Sequence, residues 1–247
     1  MVFDVDGTLV DSEREGHRVA FNMAFSEAGL SHHWDVETYG RLLEITGGQR
    51  RLASFLREYG HDQHDADGLA AKLHRSKNRS LAEIIKSGGI SLRPGVRTLV
   101  EGLRDHGIRM FIATTGSREW VVPLLGQHFE AATFELMVTG SDVERLKPDP
   151  EVYLKTLSIA GLTPSGVIAV EDSRNGLRSA HAAGLNCLVV VNDYTSDDDV
   201  TAAALVVDGF GPAARRLSGR MDVPIPGGTV TFETLVALAG LSWLSRA

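Results

Sequence analysis

Asp4 and Asp6 stand two residues apart at the end of the apolar start MVFDVDG. A carboxylate can attack phosphorus and form an aspartyl-phosphate, which divides one hard step into two easier ones. A second acid beside it can protonate the leaving oxygen and then take a proton from the attacking water. Such acid-base help is worth roughly a hundred- to ten-thousand-fold. Residues i and i+2 at a strand end point the same way, so the two acids can share a pocket. More chemistry-bearing residues follow apolar runs further on: Thr114 and Thr115 after IRMFIA, Lys147 in KPDP, and Glu171 with Asp172 after VIAV. The Thr114 hydroxyl and the Thr115 backbone N–H suit phosphoryl oxygens, and Lys147 would neutralise their charge.

Four carboxylates meeting at one spot repel each other. Lys147 supplies one positive charge, and a hard divalent ion such as Mg²⁺ would supply the rest. Each signal alone has a plain structural reading. Asp6 and Gly7 make good turn residues, KPDP suits an extended loop, and Glu171–Asp172 could simply cap a helix. Their conjunction at successive strand ends carries the chemical reading.

The elements around these residues must bring them to one rim. Met1–Val5, Ile108–Thr114, Leu136–Gly140, Val167–Glu171 and Cys187–Val191 read as apolar strands separated by helices. That alternation predicts an α/β fold with a doubly wound parallel sheet, and ligands in such sheets bind at the carboxyl ends of the strands. Met1–Val5 is short for a buried strand, which leaves open whether the native start lies upstream. Residues 12–89 read instead as all-helical. One helix runs from an N-cap at Ser12 to Gly29, two more cover Asp35–Ile45 and Gln49–Tyr59, and a fourth covers Asp65–Ser87. Pro94 suits the first turn of a helix ending at Gly107, and Ser117 a cap. PIPGG reads as a loop and Thr231–Ser245 as a terminal helix. The expected organisation is a core of 1–11 and 90–247 interrupted by a helical domain at 12–89.

With these motifs in order, the sequence resembles the haloacid dehalogenase-like hydrolases. FDVDGTLVDSE resembles their motif I, IATTGS motif II, RLKPDPEVY motif III and AVEDSRNG motif IV. The resemblance implies a Rossmann-like core with Asp4 as nucleophile and Asp6 as acid/base. Mg²⁺ would be held by the Asp4 carboxylate, the Asp6 carbonyl and Asp172, with Glu171 direct or through water. Thr114 and Lys147 would bind the phosphoryl group, with Thr115 and Gly116 as further substrate contacts. The helical segment resembles a C1-type cap, and DSEREGHRVAFN, TGGQRR and KLHRSKN resemble the CbbY branch, close to the β-phosphoglucomutases. Members of that branch hydrolyse xylulose 1,5-bisphosphate. Carried over, Glu13 and His17 would contact the sugar, and Arg50 or Arg51 with Lys77 a distal phosphate. Arg50 and Gln49 stand where branch members often carry an acid and a lysine.

The bulk properties agree with a soluble enzyme of this kind. The 247 residues are 43% hydrophobic and 23% charged, with a formal net charge of −7. No basic stripe marks a nucleic-acid surface. The cluster Lys72–Arg79 is short and spaced like one helix face, so it reads either as a solvated face or as a surface for a small anion. One cysteine, Cys187, permits no internal disulfide, and neither a signal peptide nor a transmembrane run is evident. The expectation is a cytoplasmic monomer acting on a small phosphorylated sugar, with no membrane or nucleic-acid partner. A β-phosphoglucomutase-like mutase would share every core residue. A non-catalytic phosphosugar-binding regulator would have lost a catalytic carboxylate. A dehalogenase would not need Asp6, a P-type ATPase-like module would carry threonine there in a far longer chain, and a receiver domain would carry its phospho-accepting Asp on a middle strand.

Overall fold

The computed structural model describes residues 1–240. In chain order its strands and α-helices are β1 (Val2–Phe3), α1 (Arg18–Glu27), α2 (Val36–Leu42), α3 (Gly48–Glu58), α4 (Gln63–Lys86), α5 (Val96–Asp105), β2 (Phe111–Ala113), α6 (Arg118–His128), β3 (Leu136–Val138), α7 (Glu151–Ala160), β4 (Ile168–Glu171), α8 (Arg174–Ala182), β5 (Asn186–Val190), β6 (Leu205–Val207), β7 (Arg216–Ser218) and α9 (Phe232–Leu238). The chain divides into two compact units, Asp11–Ser91 and the combination of Met1–Val10 with the chain from Leu92 onward.

The second of these units is built on a seven-stranded sheet of order β3-β2-β1-β4-β5-β6-β7. All pairings are parallel except β6 with β7. The strand order reverses between β1 and β4, so the switch point that builds ligand crevices lies there. Register fixes the rim. Val2 and Phe3 pair with Phe111 and Ile112 on one side and with Ala169 and Val170 on the other. Asp4 therefore emerges level with Ala113 and Glu171, and its N–H donates to Val170 O at 3.0 Å. One face of the sheet is closed by Tyr153 and Val152 of α7 and by Leu177 and Ala180 of α8, all buried.

Most strands are shorter than their apolar runs predict, because pairing stops where the chain turns toward the rim. β1 ends at Phe3, before Asp4. Asp4 and Asp6 are thus loop residues, and the i, i+2 strand argument does not hold them together. A tight helical turn does so instead, in which the N–H groups of Thr8, Leu9 and Val10 all donate to Val5 O at 2.9–3.2 Å. β6 and β7 were not expected. Each has three residues, and β7 is exposed throughout, so neither carries an alternation to read. Helix α5 starts at Val96 behind Gly95, whose φ is +88° and whose Cβ would lie 2.4 Å from Gly211 N. Pro94 precedes the helix rather than opening it. Ser117 stands at the N-cap of α6 without a side-chain cap bond, and the Arg118 N–H donates to Ser141 Oγ at 3.2 Å. PIPGG contains a 3-10 turn at Pro226–Gly228. The expected terminal helix is present as α9, and residues 241–245 lie outside the described residues.

The inserted unit is helical. Its core gathers Phe21, Phe25, Trp34, Tyr39, Leu52, Phe55 and Leu56, all at most 4% exposed. Trp34, in the connection from α1 to α2, sits 4.7 Å from the Phe21 ring and 5.2 Å from that of Phe55. The Asn22 side chain fastens this connection, bonding both Trp34 O and Trp34 N. The expected helix from Ser12 is present as far as Glu27, but its first turn is wound differently. Glu13–His17 forms a π-helical turn before α1. Ser12 stands at the N-cap position, with helical φ and ψ and no side-chain cap bond. Gly16 within the turn allows close packing, since a Cβ there would lie 2.5 Å from Ile90 Cδ1. Helix α4 starts earlier than expected because Asp62, not Asp65, caps it, accepting from Asp65 N at 2.9 Å.

Candidate active site

The rim at the switch point collects Asp4, Lys147, Glu171 and Asp172, all buried. Lys147 Nζ donates to Asp4 Oδ1 at 2.6 Å, to Glu171 Oε1 at 2.6 Å and to Ala113 O at 2.8 Å. Its three protons are thus matched by acceptors from three strand ends. Asp4, Glu171 and Asp172 each present an oxygen within 4.8 Å of the others. Like charges at that separation repel by about 3 kcal/mol per pair at an effective dielectric of 20. Three carboxylates and one ammonium leave two negative charges in a nearly dry site.

Protonation equilibria show the same imbalance. Burial pushes the Asp4 carboxyl above its usual range, against the opposing pull of Lys147. Burial and the neighbouring acids raise Glu171 to about 7 and Asp172 well above the carboxylate range. Burial alone would lower the Lys147 ammonium, but Asp4 and Glu171 override it and raise its pKa. A divalent cation would supply the missing charge, and an all-oxygen donor set suits a hard ion. The residues present therefore fit a divalent metal at Asp4, Glu171 and Asp172.

The remaining predicted core residues take supporting positions. Asp6 is half-buried in the turn after Asp4, and its charge helps to raise the Asp4 pKa. Thr114 follows β2 and is buried, with its Oγ1 accepting from Gly116 N at 3.1 Å. This bond closes a tight loop through Thr115 and Gly116. Gly140 packs against that loop so closely that a Cβ would lie 2.2 Å from Thr115 O.

Three contributors were not anticipated. Tyr153 of α7 donates its hydroxyl to Glu171 Oε1. Asn192, just past β5, donates to Asp172 Oδ2 at 2.8 Å. Arg93 donates to Gly7 O, to Val190 O at 3.0 Å and to Val191 O at 2.7 Å, tying the loop after Asp4 to the end of β5. Asn192 was detectable, since it is the polar residue that ends the run CLVVV, as Glu171 ends VIAV. Arg93 and Tyr153 carry no such signal.

Within the inserted unit a second polar cluster forms from Glu13, His17, Arg51 and Lys77. Tyr39 donates its hydroxyl to Glu13 Oε2 and accepts from Arg51 Nη1 at 3.1 Å. Arg51 also donates from Nε to Leu42 O at 2.9 Å. Lys77 Nζ lies 2.6 Å from His17 Nδ1. An ammonium can only donate, so His17 Nδ1 accepts and the imidazole proton sits on Nε2. Burial and the Lys77 charge depress the His17 pKa to about 3. Of the two adjacent arginines, Arg51 is buried in this cluster and Arg50 is exposed. The basic run Lys72–Arg79 divides likewise: Lys72, Arg75 and Arg79 are exposed, while Lys77 is 4% exposed.

The profile of the family described as haloacid dehalogenase-like hydrolase matches residues 1–190. The chain belongs to this family. As a haloacid dehalogenase-like hydrolase it is 41% identical to Protein CbbY of Rhodobacter capsulatus over 217 residues, spanning 87% of this chain and 94% of that protein. It is 37% identical to the plasmid-encoded Protein CbbY of Cupriavidus necator over 246 residues, spanning 96% of this chain and 94% of that one. Among solved structures it is similar to a CbbY variant from Rhodobacter sphaeroides in complex with xylulose-(1,5)bisphosphate. That similarity has a TM-score of 0.76 and 36% identity, and covers 84% of this chain and 92% of that one. The chain is an enzyme of the phosphatase type within this family. No helix among the described residues is long and apolar enough to cross a membrane.

Proposed function

We propose that this hydrolase is a magnesium-dependent phosphatase of a small phosphorylated sugar and that it takes the phosphoryl group on Asp4. The observation that carries the proposal is the Lys147 ammonium, 2.6 Å from both Asp4 and Glu171. It sits where a nucleophilic carboxylate and a transferring phosphoryl group both need positive charge. Mg²⁺ bound by Asp4, Glu171 and Asp172, with the Asp6 carbonyl, would neutralise phosphate charge.

The protein's own groups perform the steps. An Asp4 oxygen attacks phosphorus as the bond from phosphorus to the sugar oxygen breaks. Asp6 gives that oxygen a proton, which releases the alcohol. Asp6 then removes a proton from water as the water attacks the aspartyl-phosphate, and phosphate leaves with Asp4 restored. Thr114, with the loop through Thr115 and Gly116, would hold the phosphoryl oxygens.

The cluster in the insert supports a sugar carrying a second anionic group. Lys77 and Arg51 are buried cations, and the acid Glu13 is bonded to Tyr39 beside them. His17 is neutral and can donate from Nε2 to a sugar hydroxyl. Xylulose 1,5-bisphosphate, seen with the related CbbY structure, has this chemistry.

Phosphate release from a panel of sugar mono- and bisphosphates tests the reading. Turnover of a sugar bisphosphate by wild type, abolished in Asp4→Asn, is the expected result. Retained activity in Asp4→Asn removes the nucleophile assignment. β-Glucose 1-phosphate with a bisphosphate primer in the same panel separates hydrolase from mutase, since a mutase returns the phosphate to the sugar.

A further inference from the structure

Glu171 and Asp172 are adjacent in sequence, and each meets a neutral partner from a different element. Tyr153, fully buried on α7, touches both halves of the central ion pair. Its hydroxyl donates to Glu171 Oε1, the oxygen that Lys147 also bonds, and its ring lies under Lys147 Nζ at 5.1 Å. The other Glu171 oxygen is confined by backbone, because a Cβ on Gly176 would lie 1.8 Å from Glu171 Oε2. Glu171 is therefore held at Oε1 by two bonds, with Oε2 packed close to the first turn of α8.

Asp172 is held in a parallel way. Asn192 Nδ2 donates to Asp172 Oδ2 at 2.8 Å. The amide is itself fixed, because its Oδ1 accepts from Tyr194 N at 2.8 Å and its backbone N–H donates to Thr195 Oγ1 at 3.0 Å. Gly7 packs against this same bond, where a Cβ would lie 2.1 Å from Asp172 Oδ2 and 2.7 Å from Asn192 Nδ2.

We propose that Tyr153 and Asn192 are positioning residues that fix Glu171 and Asp172 as a preformed cradle for a divalent cation. This rests on the metal reading given above. Partners that orient ligating carboxylates are worth roughly ten- to a hundredfold in metal affinity. A purely structural role would only satisfy buried acids, and losing it would lower stability without a specific effect on metal uptake.

Tyr153→Phe removes one hydroxyl and keeps the ring, and Asn192→Ala removes the amide. Calorimetric titration of the metal-free full-length protein with Mn²⁺ and with Mg²⁺ is the measurement, with the melting temperature of each metal-free variant recorded beside it. The expected result is about tenfold weaker binding of both ions in each variant, with the substrate KM at saturating Mg²⁺ unchanged. Ion affinity within twofold of wild type overturns the proposal for that residue, whatever its melting temperature. Wild-type protein that takes up neither ion overturns the metal reading and this proposal together. Wild-type uptake with unaffected variants overturns this proposal alone.

Discussion

At the scale of single residues, the site depends on atoms that are missing as much as on those present. Gly176 lies in the first turn of α8, where alanine would normally improve a helix by roughly 1 kcal/mol. Here a Cβ would fall within 1.8 Å of the Glu171 carboxylate. Gly176→Ala should therefore cost at least a hundredfold in kcat/KM, because the acid must move off Lys147 or the helix must shift. A variant with better helix propensity and unimpaired turnover, measured by steady-state phosphate release, would contradict this placement of Glu171. The acids and the lysine themselves were legible in the sequence, because charged residues rarely end buried apolar strands without a reason. Tyr153 was not legible. Its aromatic ring belongs to an ordinary buried helix face, and its role comes from where one hydroxyl points.

At the scale of elements, the sequence conveyed the strand–helix alternation of a parallel sheet and the helical character of the insert better than it conveyed where elements end. Helix starts depend on one side chain meeting one or two N–H groups. The sequence reading opens this helix at Asp65, and the bond from Asp65 N to Asp62 moves its start back to Gln63. Asp62→Ala should destabilise the insert by about 1 kcal/mol, a fall of roughly 2–4 °C in Tm. Asp65→Ala should cost less. Equal losses in a thermal melt would show that the first turn of α4 is not held by this cap. The π-helical turn at Glu13–His17 was equally hidden, because its composition suits an α-helix. It places Glu13 at the Tyr39 hydroxyl and His17 at Lys77, the two bonds on which the polar cluster of the insert rests. That cluster could be inferred only through family resemblance, since buried and exposed basic residues alternate along Lys72–Arg79 without a mark in the sequence.

At the scale of the whole molecule, buried ionisable groups tie stability and activity to solution conditions. The His17 pKa is about 3 in the fold, far below the usual histidine value, because burial and Lys77 disfavour its charged form. The unfolded chain therefore binds the proton first as pH falls. The stability linked to neutral His17 is complete above pH 6.5 and is lost progressively toward pH 3. At pH 5.5 the loss is about 1 kcal/mol. His74, lowered to about 4 by burial and Lys77, acts in the same direction. Glu171 and Asp172, raised in the fold, act in the opposite sense over this range, so the His17 contribution is read as a difference: between pH 7.5 and 5.5 the Tm of wild type should decline relative to that of His17→Asn. An identical pH slope in the two proteins would show that His17 titrates normally. The acidic rim makes the opposite demand, for a cation. Chelation of divalent ions should abolish phosphate release and added Mg²⁺ should restore it, whereas full activity in chelator would show that Lys147 alone suffices.

The joint by which the insert is attached has a further consequence. Val10 bridges Asp6 in parallel and Leu92 in antiparallel fashion, and the Arg93 N–H returns to Leu9 O at 2.9 Å. The chain departs and comes home at a single rung, a few residues beyond Asp4. Whatever is spliced between those two neighbours, long or short, leaves the threading of the sheet untouched.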